Sequence, residues 1–139
     1  REPHNNLFPY LLNFMESLKD NFCLERYILF ELALLAETGH KLQLDRCAAT
    51  NSSSNLFYVS PKSGRAVCKE VGDEFASKML LLPQFLITNS SITCEQLNQA
   101  YLLTSYFIDR YILFNREMPK AREIFYNYMM NIYKQNVNL

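Results

Sequence analysis

Three glycines in 139 residues leave little material for a loop that wraps a phosphate. The G-x-x-x-x-G-K-[ST], G-x-G-x-x-G and G-x-S-x-G patterns are all absent, which removes the motif basis for nucleotide, dinucleotide and serine-hydrolase chemistry. Histidine is equally scarce. His4 stands at the start and His40 follows Gly39, neither with a partner at a diagnostic spacing. Cys47 lies seven residues beyond His40 across a polar stretch, too unspecific a pairing to define a thiol and its base. No apolar run reaches the roughly 18 residues of a membrane span, and no signal-peptide pattern opens the sequence. Positive charge is not in excess: Lys plus Arg and Asp plus Glu number 14 each. A protein whose whole surface clamps nucleic acid is more basic, so any such contact must be a local patch.

What is present is apolar bulk. Hydrophobic residues make up 49%, enough for one domain with a sizeable core and no staples. The four cysteines, Cys23, Cys47, Cys68 and Cys94, are widely spaced and never paired as C-x-x-C. They read as reduced thiols of a cytosolic protein rather than a disulfide framework. The first residue is Arg1, which raises the expectation of a portion preceding this sequence.

Helical periodicity dominates. Leu7, Leu11, Phe14, Met15 and Leu18 share one face of a helix expected over 6–19. Residues 22–38 predict the most apolar helix, a central one in a bundle, with Gly39 as its stop. Thr93-Cys-Glu-Gln96 is a capping box for a third helix carrying Leu97, Ala100, Tyr101, Phe107, Ile108, Tyr111 and Phe114. Pro119 opens a last helix to about Lys134, packing Ile124, Phe125, Tyr128, Met129 and Ile132. Residues 40–72 break the pattern. There LFYV and RAVC are strand candidates around SPKSG, where Pro61 presets a turn and Gly64 supplies a positive φ. A short helix over 73–82 then ends at Pro83. The expected architecture is mainly α: a bundle of four to five helices over 1–139, with a loop and β-hairpin inserted at 40–72.

Two features carry candidate chemistry. Glu31, inside YILFELALLA, either lies on a wet seam near Glu25 or Arg26, or is partly buried and accepts N–H groups of the 40–50 segment. If buried it must be paired, because an unpaired buried charge costs several kcal/mol. Cys47-Ala-Ala-Thr50 and Cys68-Lys-Glu-Val71 stand in the relation of two zinc knuckles, each keeping only its first cysteine. With His40 as a third donor at best, the set does not close a tetrahedral site, and the expected cofactor is none. The hairpin therefore reads as a degenerate zinc ribbon, with Cys47 and Cys68 as remnants. Turn chemistry and the packing of Phe57, Tyr58 and Val67 would then hold what a metal holds elsewhere. A rival reading makes Cys47, Cys68 and His40 the centre of a thiol- or metal-dependent enzyme, and a third makes the chain a helical adaptor.

Several stretches occur together: REPH at 1–4, FELALLAETGHKLQLDRCAAT at 30–50, YVSPKSGRAV at 58–67, LLPQFL at 81–86, LTSYFIDRYI at 103–112, and MPKARE near the end. In this order they resemble the C-terminal helical region of the RecO family, bacterial recombination mediators in DNA repair, and most nearly its alphaproteobacterial branch. The resemblance implies a non-enzymatic protein of the RecF pathway, cytoplasmic and nucleoid-associated. It implies binding to single- and double-stranded DNA, mainly through an N-terminal OB-fold that this chain lacks, and annealing of complementary strands. It also implies RecA loading with RecR, and docking of the acidic C-terminal tail of single-strand-binding protein (SSB). Zinc-binding members have cysteine where this sequence has Thr50 and Val71, so a metal is not carried over. Many relatives place an arginine at the position of Leu29; here the nearest is Arg26. On this basis Lys62, Arg65 and Lys69 are expected to form an auxiliary DNA contact on the hairpin. Arg26, or Arg110 with Arg122 beside the aromatic helices, is expected to dock the tail.

Overall fold

The computed structural model describes residues 24–89, 91–114 and 116–137. The helix expected over 6–19, and His4 and Cys23, lie outside the described residues. Helix α1 spans Leu24–Glu37 and buries Leu24, Ile28, Glu31 and Leu35, the spacing of one helical face. Its opposite side is open, with Leu29 38% exposed, so the helix is one-sided rather than buried all round. It stops where expected. Gly39 takes a φ of 90°, the Gly39 N–H donates to Ala36 O (3.0 Å), and the His40 N–H donates to Leu35 O (2.9 Å). This is a Schellman stop, which needs a left-handed residue at that position.

The inserted segment forms a small sheet. Strand β1 (Leu56–Val59) pairs antiparallel with β2 (Ala66–Cys68), with an irregularity in register between Leu56 and Tyr58. Gly64 turns the hairpin with a φ of 69°, its N–H donating to Ser60 O (2.8 Å) while the Ser60 N–H donates to Arg65 O (2.9 Å). A short helix, α2 (Lys69–Gly72), and a 3-10 stretch (Asp73–Lys78) follow. Strand β3 (Leu80–Leu81) then pairs with the other edge of β1, giving the order β2-β1-β3. The helix expected over 73–82 is thus a 3-10 turn ending in a strand. A short apolar run such as Met79–Leu82 suits either state, and the free edge of β1 decides it. Gly72 is buried here because the Tyr58 ring lies across it: a Cβ would come within 2.3 Å of Tyr58 Cδ2.

Helix α3 (Cys94–Tyr111) starts at Thr93, whose side-chain oxygen accepts the Gln96 N–H at 3.1 Å. Its buried face, Leu97, Ala100, Leu103, Thr104, Phe107 and Ile108, runs between α1 and the sheet. Helix α4 (Lys120–Val137) packs on α1 and α3 through Tyr126, Met129 and Met130. One core cluster lies under the hairpin around Leu35, Val59, Val67, Leu103 and Phe107; the other joins Leu24 and Leu97 to α4. Fully burying a side chain such as Phe107 is worth about 1.5–3 kcal/mol, so α3 anchors both sheet and bundle. Three residues expected in the core are outside it: Phe114 is 68% exposed, Ile124 67% and Tyr128 62%. Phe114 follows the helix end with a φ of 52°, off the helical face. Ile124 and Tyr128, one turn apart, lie on the outer side of α4.

Candidate functional site

The basic turn and the end of α3 form one surface. Lys62 and Arg65 are exposed on the hairpin loop. Arg110, also exposed, reaches across from α3 and donates one terminal N–H group to both Pro61 O (3.2 Å) and Tyr106 Oη (3.2 Å). Its guanidinium lies over the Tyr111 ring, 5.4 Å from the centroid. The Tyr106 hydrogen bond, with lesser help from Tyr111, raises the Arg110 pKa above the ordinary arginine value. The His40 ring stacks on Tyr111 at 3.9 Å and 7°. Among the described residues none of Lys62, Arg65 and Arg110 forms an ion pair. Three exposed cations thus present charge to solvent, two on the hairpin turn and one on the end of α3 that holds that turn.

Lys69 does not belong with them. It sits past β2, at the other end of the hairpin, where its ammonium contacts both Asp73 carboxylate oxygens at 3.2 Å. The same group lies over the Phe57 ring at 4.9 Å. Asp73 also accepts the Tyr58 hydroxyl, the leading cause of its lowered pKa. Lys69 is thus engaged by a carboxylate within its own turn of helix, both side chains about half exposed.

The three arginines expected to dock a partner are not brought together. Arg26 is exposed on α1, and Arg110 holds the hairpin turn. Arg122 is internal. Its Nε donates to Glu31 Oε2 (2.6 Å) and its Nη2 to Glu31 Oε1 (2.8 Å), with side-chain exposures of 8% and 4% for the pair. Further bonds run to Ser105 Oγ (2.7 Å) and Thr104 Oγ1 (3.1 Å), and the Tyr101 ring lies 4.4 Å away. Burial opposes the Arg122 charge, but Glu31 outweighs it and raises the pKa. Burial, then Glu31, likewise pushes the Tyr27 phenol well up. So Glu31 lies neither on a wet seam nor against the 40–50 loop. It clamps α1 to α4, and this burial corrects the docking role expected of Arg122.

Cys47 and Cys68 do meet. Cys47 Sγ accepts the N–H of Cys68 (3.3 Å) and of Ala49 (3.4 Å), and the Thr50 hydroxyl and N–H also point to it. Burial pushes the Cys47 thiol up, but these donors outweigh it and bring the pKa down to about 6. The Val71 N–H acts to lower the Cys68 pKa, yet burial, Glu70 and Cys47 raise it on balance. The two sulfurs are thus brought together, with Thr50 and Val71 beside them in place of further thiols. Among the described residues no three of His, Cys, Asp and Glu gather as a metal would require. A hydroxyl and an isopropyl group do not fit a tetrahedral zinc site. The His40 ring stacks on Tyr111, and among the described residues no hydrogen bond from it to Cys47 accompanies those of Ala49 and Cys68.

Helix α1 borders a groove of about 420 Å³, lined by the apolar Leu29, Leu32, Ala33, Ala36, Leu42 and Leu44 together with Glu37 and Lys41. Among the described residues no helix is long and apolar enough to cross a membrane. A family model described as "Recombination protein O C terminal" matches residues 1–117. The chain is 49% identical to the DNA repair protein RecO of Rickettsia felis over 132 residues, which is 94% of this chain and 56% of that protein. The corresponding protein of Rickettsia akari is 48% identical over the same share of both chains. That of Rickettsia bellii is 47% identical over 94% of this chain and 54% of its own. The chain thus spans about half the length of the curated relatives it matches. No solved structure matches it.

Proposed function

The chain belongs to the recombination protein O C-terminal family, and from that premise we propose that it is the helical part of a DNA repair protein. It makes and breaks no covalent bonds in that role, acts in the cytoplasm, and contributes an auxiliary DNA contact and a docking face to recombination mediation. The observation that carries this reading is the unpaired cationic surface of Lys62 and Arg65, held by Arg110. Cations of this kind meet phosphates without reading sequence. Lys69, paired with Asp73 at the other end of the hairpin, is left out of the contact. Strand annealing, and RecA loading with RecR, would be activities of the longer protein to which this surface contributes.

The test is fluorescence anisotropy of labelled single-stranded and duplex DNA over a salt series. Lys62→Glu with Arg65→Glu should weaken binding and flatten the salt slope by roughly 0.7 per lost phosphate contact on single strands. Lys69→Glu should change little. Unchanged affinity and slope in the double variant would take the hairpin out of the DNA path.

A second surface suits the acidic, aromatic-ended tail of single-strand-binding protein. The groove beside Leu29 offers apolar volume, Lys41 lines it along with Glu37, and Arg26 stands three residues before Leu29 on a neighbouring part of α1. An apolar groove supplies most of the affinity in such a complex and flanking cations supply steering. NMR shifts on titrating the tail peptide should map to Leu29, Ala33 and Lys41. Shifts confined to other faces would reject this site.

A further inference from the structure

The hydrogen-bonded sulfurs of Cys47 and Cys68 have no role in DNA contact or docking, and their donor set does not fit zinc. We propose that they form a reversible dithiol–disulfide site, with Cys47 as the attacking sulfur, Cys68 as the resolving one, and a hydroperoxide as oxidant.

The placement is set by backbone. The loop before β1 is laid along β2 by the Ala66 N–H to Gln43 O (2.9 Å), the Gln43 N–H to Gly64 O (3.0 Å) and the Ala48 N–H to Ala66 O (2.8 Å). These bonds hold Cys47 against the end of β2, where the Cys68 N–H donates to its sulfur at 3.3 Å. The two residues are 21 positions apart, so their meeting is a tertiary contact. Both are buried, yet Ala48, Ala49, Thr50, Lys69 and Glu70, adjoining them in sequence, are exposed. Cys68 itself keeps 4% exposure while Cys47 has none, so the pair sits beside the surface residues of its own loop and turn. Cys94 is half-buried at the start of α3 and takes no part in the pair.

The roles of the two sulfurs differ because their donors differ. Cys47 collects N–H groups from Ala49, Thr50 and Cys68 and the Thr50 hydroxyl, all of which favour its anion. Cys68 faces Glu70 and the Cys47 sulfur, which favour its protonated form. In the first step the Cys47 thiolate attacks one oxygen of the hydroperoxide. The O–O bond breaks, a sulfenic acid forms at Cys47, and hydroxide (or alkoxide) leaves. In the second step the Cys68 sulfur attacks the Cys47 sulfur. The S–S bond forms, the S–O bond breaks, and the leaving hydroxide takes the Cys68 proton as water. Overall two thiols lose two electrons and two protons to the peroxide; a dithiol reductant returns them. The product ties the 40–55 loop covalently to the base of the hairpin that carries Lys62 and Arg65.

The chain is treated with a small excess of hydrogen peroxide at pH 7, alkylated and analysed by intact mass and peptide mapping. Two of its four thiols should be lost, in one species whose peptides join Cys47 to Cys68, and dithiothreitol should restore both. With Cys68→Ser, circular dichroism should be retained and dimedone should label Cys47, at least tenfold faster than Cys94. Four titratable thiols after oxidation would overturn the proposal, as would a disulfide involving Cys23 or Cys94. So would zinc bound at one equivalent and shielding the pair, or a Cys68→Ser chain that keeps its fold and gives no dimedone adduct at Cys47.

Discussion

The Arg122–Glu31 clamp gives the sharpest stability test. Both side chains are over nine-tenths buried, so solvent screens their attraction little. Two bonds of 2.6 and 2.8 Å run between them, and two hydroxyls and an aromatic face complete the shell of the guanidinium. Removing one partner leaves the other charged, desolvated and short of hydrogen bonds, which costs about 3–5 kcal/mol. Glu31→Leu should fall toward the lower end, because Arg122 keeps Ser105, Thr104 and the Tyr101 ring. Arg122→Met should fall toward the upper end, because Glu31 loses its counter-charge and two donors together. For a domain of this length such losses lower Tm by roughly 10–20 °C. The double variant is the discriminating one: replacing both groups by apolar side chains of similar size should recover most of the loss, within about 1–2 kcal/mol of wild type. Urea unfolding of the four proteins at pH 7 measures this directly. Single variants each costing under about 1 kcal/mol, or losses that simply add in the double, would refute the clamp as a coupled buried pair.

Gly72→Ala should destabilise by about 1–3 kcal/mol in urea unfolding, since the new Cβ meets the Tyr58 ring; propensity alone predicts the opposite sign. Thr93→Ala should cost about 1 kcal/mol by losing the cap on the Gln96 N–H; the same measurement, with no loss, would deny that the cap matters. The Cys47 thiolate should appear in 240 nm absorbance near pH 6, against an ordinary thiol value of 9.0, and vanish in Cys47→Ser. Its folded pKa is depressed, so its contribution to stability is present in full above the ordinary value and lost as pH falls through about 6. Stability should therefore rise with pH between 6 and 9, and Cys47→Ser should flatten that rise.

The features legible in the sequence were local ones. Gly39 ends α1 because only a left-handed residue closes the bonds to Leu35 and Ala36. Gly64 turns the hairpin for the same reason, and Thr93 caps α3 over three residues. Each depends on backbone angles and hydrogen bonds within a few positions, so residue type alone determines them. That a carboxylate amid YILFELALLA must be paired if buried was also legible, from the cost of desolvation. The identity of its partner was not: Arg122 is 91 positions away and looks like any helical arginine until α4 packs on α1. The same holds for the meeting of Cys47 with Cys68 and for the reach of Arg110 to Pro61. Ile124 and Tyr128 recur at the helical period yet face outward, because periodicity places residues on one side without saying which side meets a neighbour. The sequence by itself thus determined where elements begin, turn and end, through short-range geometry. Only the tertiary structure decided which faces are covered and which charges are free, because burial and pairing depend on elements far apart in the chain.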